Sequence, residues 1–180
     1  QELPKPTCHE LEPRITRILR HGLCQKKQRR RLTFRIGREE VIDDPQTGSE
    51  KGRIDILFMY GWDDNVYFAF ECKRLNVLYP RGCKSLAREY VAGGMARFVT
   101  GKYAAGLTQG GMIGFVMDGD TTTAATKVDA EVRAWIRPLQ MVPGTGLATS
   151  ALFPATPVVR ETKHPRRAPA LTLHHVFLAV

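Results

Sequence analysis

The 180-residue chain is 43% hydrophobic, 25% charged and 8% aromatic, which excludes a largely disordered, collagenous or low-complexity protein and suits a single core. Its longest apolar runs, 66–70, 112–117 and 176–180, fall far short of the ~18–20 residues that cross a bilayer as a helix. Lys and Arg number 27 against 18 Asp and Glu, a net charge of +9, and ten of those cations lie between Arg14 and Arg38 with no acid among them.

The first predicted element is a helix over 10–31, because Leu11, Ile15, Ile18, Leu19 and Leu23 recur at spacings of three and four and so share one face. It ends in Lys26, Lys27, Arg29, Arg30 and Arg31, a footprint expected for a polyanion, nucleic acid foremost. A solvated helical face or an acidic membrane patch is the alternative. The alternation from Leu32 predicts a strand over 32–42. After a polar turn holding Pro45 and Gly48, strands are expected over 53–60 and 66–73, joined by the loop 61–65.

Ser85 is a candidate N-cap for a helix over 85–100, with Ala87, Val91, Met95 and Phe98 as its core stripe. Gly93 and Gly94 in its middle cost about 1 kcal/mol each relative to Ala, so a kink or a close backbone approach is expected there. A buried strand follows over 111–118. Asp120 or Thr121 caps a third helix stopped by Pro138. Residues 143–169 read as loop with one short strand, and 171–180 as a last strand. The fold class is therefore mixed α/β, a central mixed sheet with helices on both faces, in the order α-β-β-β-α-β-α-β. One domain over 1–180 is expected, with its core at about 10–140 and residues 141–180 as an extension.

Cys8, Cys24, Cys72 and Cys83 form no C-x-x-C pair, so neither a zinc site nor a disulfide framework is indicated. With no apolar signal core at the N-terminus, a reducing, cytoplasmic setting fits best.

Chemistry concentrates in the second and third strands. If they close symmetrically about their loop, Asp55 faces Glu71 with Cβ atoms ~4.5–5.5 Å apart. A one-residue slip turns an apolar face outward. Opposed carboxylates repel unless a proton, a basic partner or a cation offsets them, and a hard divalent ion does so well. Lys73 lies on the same strand face, ~6–7 Å further along. A structural salt bridge suits the same spacing.

Arg53-Ile54-Asp55-Ile56, a turn, then Phe68-Ala69-Phe70-Glu71-Cys72-Lys73 resembles the PD-(D/E)XK restriction-endonuclease-like nucleases, over roughly the first two thirds of the chain. Ile54 stands where that motif has its proline. The resemblance implies a Mg²⁺- or Mn²⁺-dependent phosphodiesterase, most simply a DNA endonuclease of restriction or phage defence. Its catalytic residues would be Asp55, Glu71 and Lys73, and its metal ligands Asp55, Glu71 and the Cys72 carbonyl. Glu10 or Glu12 on the first helix is a further acid. Lys26, Lys27, Arg29, Arg30, Arg31 and Arg97 would contact nucleic acid; Tyr90 and Arg97, seven apart on the second helix, either face the same cleft or are ordinary packing and surface residues. A homodimer or a partner protein would supply specificity. A non-cleaving binding module of this fold, or an RNA-directed nuclease, is the alternative.

His174 and His175 point to opposite faces of one strand, so one is expected to be a satisfied interior group, and together they cannot share a metal. His164, beside Lys163, Arg166 and Arg167, is the better candidate for a phosphate contact. Pro143-Gly144-Thr145-Gly146 lacks the spacing of a phosphate loop.

Overall fold

The computed structural model describes residues 7, 9–43, 50–61, 67–102, 106–165 and 169–180. Helix α1 (Glu12–Arg29) has Pro13 in its first turn, where a missing N–H costs nothing. It lays Ile15, Leu19 and Leu23 on the sheet. Three strands follow: β1 (Arg35–Asp43), β2 (Glu50–Met59) and β3 (Tyr67–Leu75). The two turns between them, 44–49 and 62–66, lie outside the described residues, as does the pairing of Tyr60 with Val66.

A small hairpin, β4 (Val77–Tyr79) and β5 (Gly82–Lys84), interrupts the path to the second helical layer. Its neck is held by two non-glycine residues with positive φ, Asn76 (50°) and Leu86 (56°), and by the Asn76 N–H donating to the Ser85 carbonyl at 3.0 Å. Helix α2 (Ala87–Tyr90), a π-helical turn (Val91–Met95) and α3 (Ala96–Val99) then run on without a break. The helix starts at Leu86 rather than Ser85, whose hydroxyl instead accepts from the Ala87 N–H at 3.3 Å. The glycine pair, where a kink or close approach is expected, lies in the π turn, and a Cβ at Gly94 would overlap the flexible end of the Met112 side chain, which would have to shift. Strand β6 (Gln109–Val116), helix α4 (Thr121–Ala134), and strands β7 (Ala148–Thr149), β8 (Val159–His164) and β9 (Leu171–Ala179) complete the chain. Asp120 caps α4, accepting from the Thr123 N–H at 2.9 Å.

Seven strands form one mixed sheet in the order β1-β2-β3-β6-β9-β8-β7. The pairs β3·β6 and β6·β9 are parallel and the other four antiparallel. Residues 141–180 supply three of the seven strands, β7, β8 and β9. In β2 and β3, Ile56 to Met59 pair with Phe70 to Tyr67, the symmetric register the hydrophobic pattern demands. Helix α1 covers one face through Ile15, Ile56, Cys72, Ile113 and Phe115. The α2–α3 layer and α4 cover the other with Tyr90, Met95, Phe98, Val128 and Val132. Each fully buried side chain of this size contributes about 1.5–3 kcal/mol.

Central β6 tolerates little at Gly111, where a Cβ would overlap the Phe70 ring and come within 2.9 Å of Phe68. Gly111→Ala is expected to destabilise by about 1–3 kcal/mol through forced repacking. Gly93→Ala, with open space around it, is expected to be neutral or stabilising by about 0.5–1 kcal/mol. Urea unfolding of the two variants checks this, and equal midpoints would contradict it.

Candidate functional site

The β2·β3 ladder stops at Ile56–Phe70. One step beyond, the Asp55 carboxylate takes the place of a backbone partner: its Oδ2 accepts from the Cys72 N–H at 2.7 Å. Asp55 is thereby fixed against the strand that carries Glu71 and Lys73. Burial raises the Asp55 pKa, and the Cys72 N–H and Lys73 only moderate the rise.

Glu71 is 1% exposed and packs beside Gly94 of the π turn. Its Oε1 accepts from Lys73 Nζ at 2.8 Å and from Arg97 Nη1 at 2.7 Å. Its Oε2 is buried and has no hydrogen-bond partner among the described residues. Burial outweighs the Lys73 ammonium and lifts the Glu71 carboxyl to about 7. A buried charged acceptor left unpaired costs on the order of 1–3 kcal/mol or more, so a native fold retains one where it has a use.

Lys73 Nζ also donates to the Cys72 carbonyl at 2.8 Å and to Glu12 Oε1 at 3.2 Å. Burial would lower its pKa, but Glu71, Glu12 and Asp55 together outweigh that and raise it, so the ammonium is charged at neutral pH. The other oxygen of Glu12 accepts from the Arg74 N–H at 3.2 Å. Of the two helix acids, Glu12 therefore joins the cluster, while the Glu10 carboxylate pairs with Arg14 at 3.1 Å. A pocket of about 380 Å³ opens beside them, lined by Leu11, Glu12, Lys73, Arg74, Leu86 and Glu89.

Could this cluster hold a metal? The donor set is all oxygen: the Asp55, Glu71 and Glu12 carboxylates and the Cys72 carbonyl. That suits Mg²⁺ or Mn²⁺ rather than a soft ion. The orphaned Glu71 Oε2 is an acceptor of the kind such an ion satisfies. The Cys72 thiol does not take part, since burial pushes its pKa well up and it faces the α1 side. Among the described residues, no three His, Cys, Asp or Glu side chains already converge on one point, so a bound ion would draw these oxygens together.

Sequence reasoning placed Asp55, Glu71 and Lys73 correctly together, and Arg97 beside them through Glu71. Of the two readings open for Tyr90 the structure shows packing, and it overturns the phosphate contact expected of His164. Tyr90 is fully buried and faces the core, not the cleft. His164 is also fully buried, so it is no phosphate contact; Arg166 and Arg167 lie outside the described residues. Both belong to a chain of buried groups that the sequence did not disclose. His164 Nδ1 lies 2.8 Å from the Leu139 carbonyl, and since that oxygen can only accept, His164 donates there. Its Nε2 then accepts from the Thr162 hydroxyl (2.7 Å), whose oxygen accepts from His175 Nε2 (2.9 Å). His175 Nδ1 accepts in turn from the Tyr90 phenol at 3.0 Å. His174, as expected of its opposite face, instead contacts Gln109 Oε1 at 2.7 Å.

Lys26, Arg29, Arg30 and Arg31 are exposed and Lys27 half-buried. The helix that carries them spans about 25 Å from Glu12 to Arg29 at 1.5 Å per residue, so they flank the cluster at a distance rather than line it. No helix among the described residues is long and apolar enough to cross a membrane. No family model matches the chain, and no curated protein or solved structure matches it.

Proposed function

We propose that the protein is a divalent-metal-dependent nuclease of the PD-(D/E)XK restriction-endonuclease-like kind, hydrolysing phosphodiester bonds of DNA. The observation that carries this reading is the buried, half-unpartnered Glu71 carboxylate two residues from a charged Lys73, with Asp55 locked to the intervening Cys72 N–H. An oxygen-seeking cation would satisfy the carboxylate oxygen that the Lys73 and Arg97 pairs leave over.

Asp55, Glu71 and the Cys72 carbonyl would hold the ion, with Glu12 as a further acid. Mg²⁺ or Mn²⁺ so held supplies Lewis-acid stabilisation of charge at phosphorus. Lys73 turns from Glu12 to the substrate, orients the attacking water and stabilises the negative charge developing on the phosphoryl oxygens. Arg97, 2.7 Å from Glu71 Oε1, keeps that carboxylate paired while Lys73 moves. In-line attack then breaks the bond from phosphorus to the 3′ oxygen, leaving a 5′-phosphate and a 3′-hydroxyl. A role in restriction or phage defence in the cytoplasm, with a second copy or a partner protein supplying specificity, follows by analogy alone.

The engagement of Lys73 by three protein oxygens favours a second reading, a binding module of the same fold that does not cut. Purified protein incubated with supercoiled plasmid, linear duplex, single-stranded DNA and RNA, in Mg²⁺, Mn²⁺ or chelator, separates the two. Metal-dependent cutting of DNA is expected, cutting of RNA alone would reassign the substrate, and binding without cutting would establish the second reading. Replacing Arg29, Arg30 and Arg31 by Ser should also flatten the salt dependence of duplex binding, by about 0.9 in log–log slope for each phosphate no longer neutralised. An unchanged slope in a binding titration would return that run to plain surface.

A further inference from the structure

We propose that the α1 side of the sheet, beyond the basic end of that helix, is a binding lane for single-stranded nucleic acid in which aromatic rings stack on unpaired bases. The inference goes beyond the nuclease reading, since the lane lies on the face of the sheet opposite the layer that holds Glu71, and it does not depend on whether the protein cuts.

A continuous row of rings crosses the sheet. Tyr60 and Phe34 are 5.6 Å apart, Phe34 and Phe58 5.4 Å, Phe58 and Phe70 5.7 Å, Phe70 and Phe68 4.9 Å, and Phe68 and His174 6.2 Å. These residues come from the segment before β1 and from β2, β3 and β9, and none is fully buried. Tyr60 is 57% exposed and the other five are half-buried. Phe58 and Phe70 pack at the margin of the α1-side core yet keep part of their surface open, whereas the opposite layer buries Tyr90, Phe98 and Phe177 completely.

The backbone keeps the lane flat. Phe70, Gly111 and His174 stand in line across three adjacent strands. Gly111 in the middle has no side chain, and any Cβ there would collide with the Phe70 ring. The rings can therefore lean over β6, presenting faces to which any base can stack, whatever its identity.

Charge says what the lane is for. From Arg31 to Phe34 is three residues, at most ~10 Å of chain, so the basic run that ends α1 leads by chain connectivity into the segment that carries the first ring of the row. No acid lies between Arg14 and Arg38. Rings for bases beside cations for phosphates are the two parts of a single-strand site. Duplex DNA, with its bases stacked inward, has no use for the rings. Glu71 packs beside Gly94 in the other layer, so a strand in this lane leaves the carboxylates free.

Fluorescence anisotropy with a labelled oligothymidine and a blunt duplex, both in chelator so that nothing is cut, tests the lane. Tyr60→Ala, His174→Ala and the near-isosteric Phe34→Leu should each weaken single-strand binding by about five-fold or more, with duplex affinity unchanged. Tyr79→Ala, which removes an exposed ring of β4 off the lane, should change neither. In Tyr60→Trp, single-strand affinity should hold and the indole should be quenched as the oligonucleotide binds. Circular dichroism of each variant confirms the fold. Single-strand affinities equal to wild type in all lane variants, or no single-strand binding by the wild type, would overturn the proposal and point to a protein partner. Because the titration needs no catalysis, it succeeds or fails independently of whether Mg²⁺ supports cutting.

Discussion

Lys73→Ala is expected to abolish cleavage, with the rate falling by a factor of ~10³ or more, as when a principal transition-state charge stabiliser is removed. Binding of DNA by the variant should persist, because the basic end of α1 lies about 25 Å of helix away from Glu12. The fold should persist too: Lys73 is partly exposed at the edge of the cluster, and Arg97 still pairs Glu71 Oε1. Single-turnover rates on labelled duplex, alongside anisotropy, separate the two effects. Equal losses of binding and cleavage would make Lys73 a docking residue. Retained cleavage would remove it from the chemistry.

Thr162→Val should be the most damaging conservative change outside the site, at a cost of roughly 2–5 kcal/mol. The shapes match, but the hydroxyl is donor to His164 Nε2 and acceptor from His175 Nε2, so two buried nitrogens lose their partners at once. That is a large share of the ~5–15 kcal/mol that holds a domain together. Urea unfolding measures it, and a loss below ~0.5 kcal/mol would show that the buried chain is dispensable.

The same chain makes stability depend on pH. Burial, reinforced by the neighbouring His164 and His174, pushes the His175 imidazole down to about 3, against ~6.5 in an unfolded chain. The unfolded state therefore binds the extra proton first. The stability His175 contributes is fully present above pH ~6.5 and is lost at about 1.4 kcal/mol per unit as pH falls toward 3. Glu71, raised to about 7, acts in the opposite sense between ~4.5 and 7, so the wild-type profile alone mixes the two. The difference between wild type and His175→Gln cancels the carboxylate, and that difference should shrink steadily as the pH is lowered from 6.5 to 4. A difference independent of pH would contradict the assignment.

Much of this was legible in the sequence because it is periodic. Alternation in β2 and β3 admits one register, and that register brings Asp55 to the Cys72 N–H between Glu71 and Lys73. The spacing of Ile15, Leu19 and Leu23 gave α1, and the glycine pair foretold the π turn. Strands β4, β5 and β7 were missed because two- and three-residue strands leave no periodic trace. The short strand expected within 143–169 is β8, whose position was hidden because Val159-Arg160-Glu161-Thr162-Lys163-His164 is polar in composition, although Glu161, Thr162 and His164 are buried. Polar residues enter a core only where distant partners satisfy them, and Leu139 and His175 are invisible from residue 164. The choice of Glu12 over Glu10 likewise depended on how α1 crosses β3, a tertiary fact. His175, alternating with buried Leu173 and Phe177, is the satisfied interior member of the histidine pair that the strand's alternation leads one to expect.

The most direct measurement of the central claim is single-turnover cleavage of end-labelled DNA by wild type and by Asp55→Asn, each with Mg²⁺ and with chelator. Asp55→Asn keeps an oxygen able to accept from the Cys72 N–H, so the strand edge survives while the charge is lost. Metal-dependent cutting by the wild type, absent in the folded variant, is the predicted result. Cutting that persists in Asp55→Asn would place the chemistry elsewhere in the molecule.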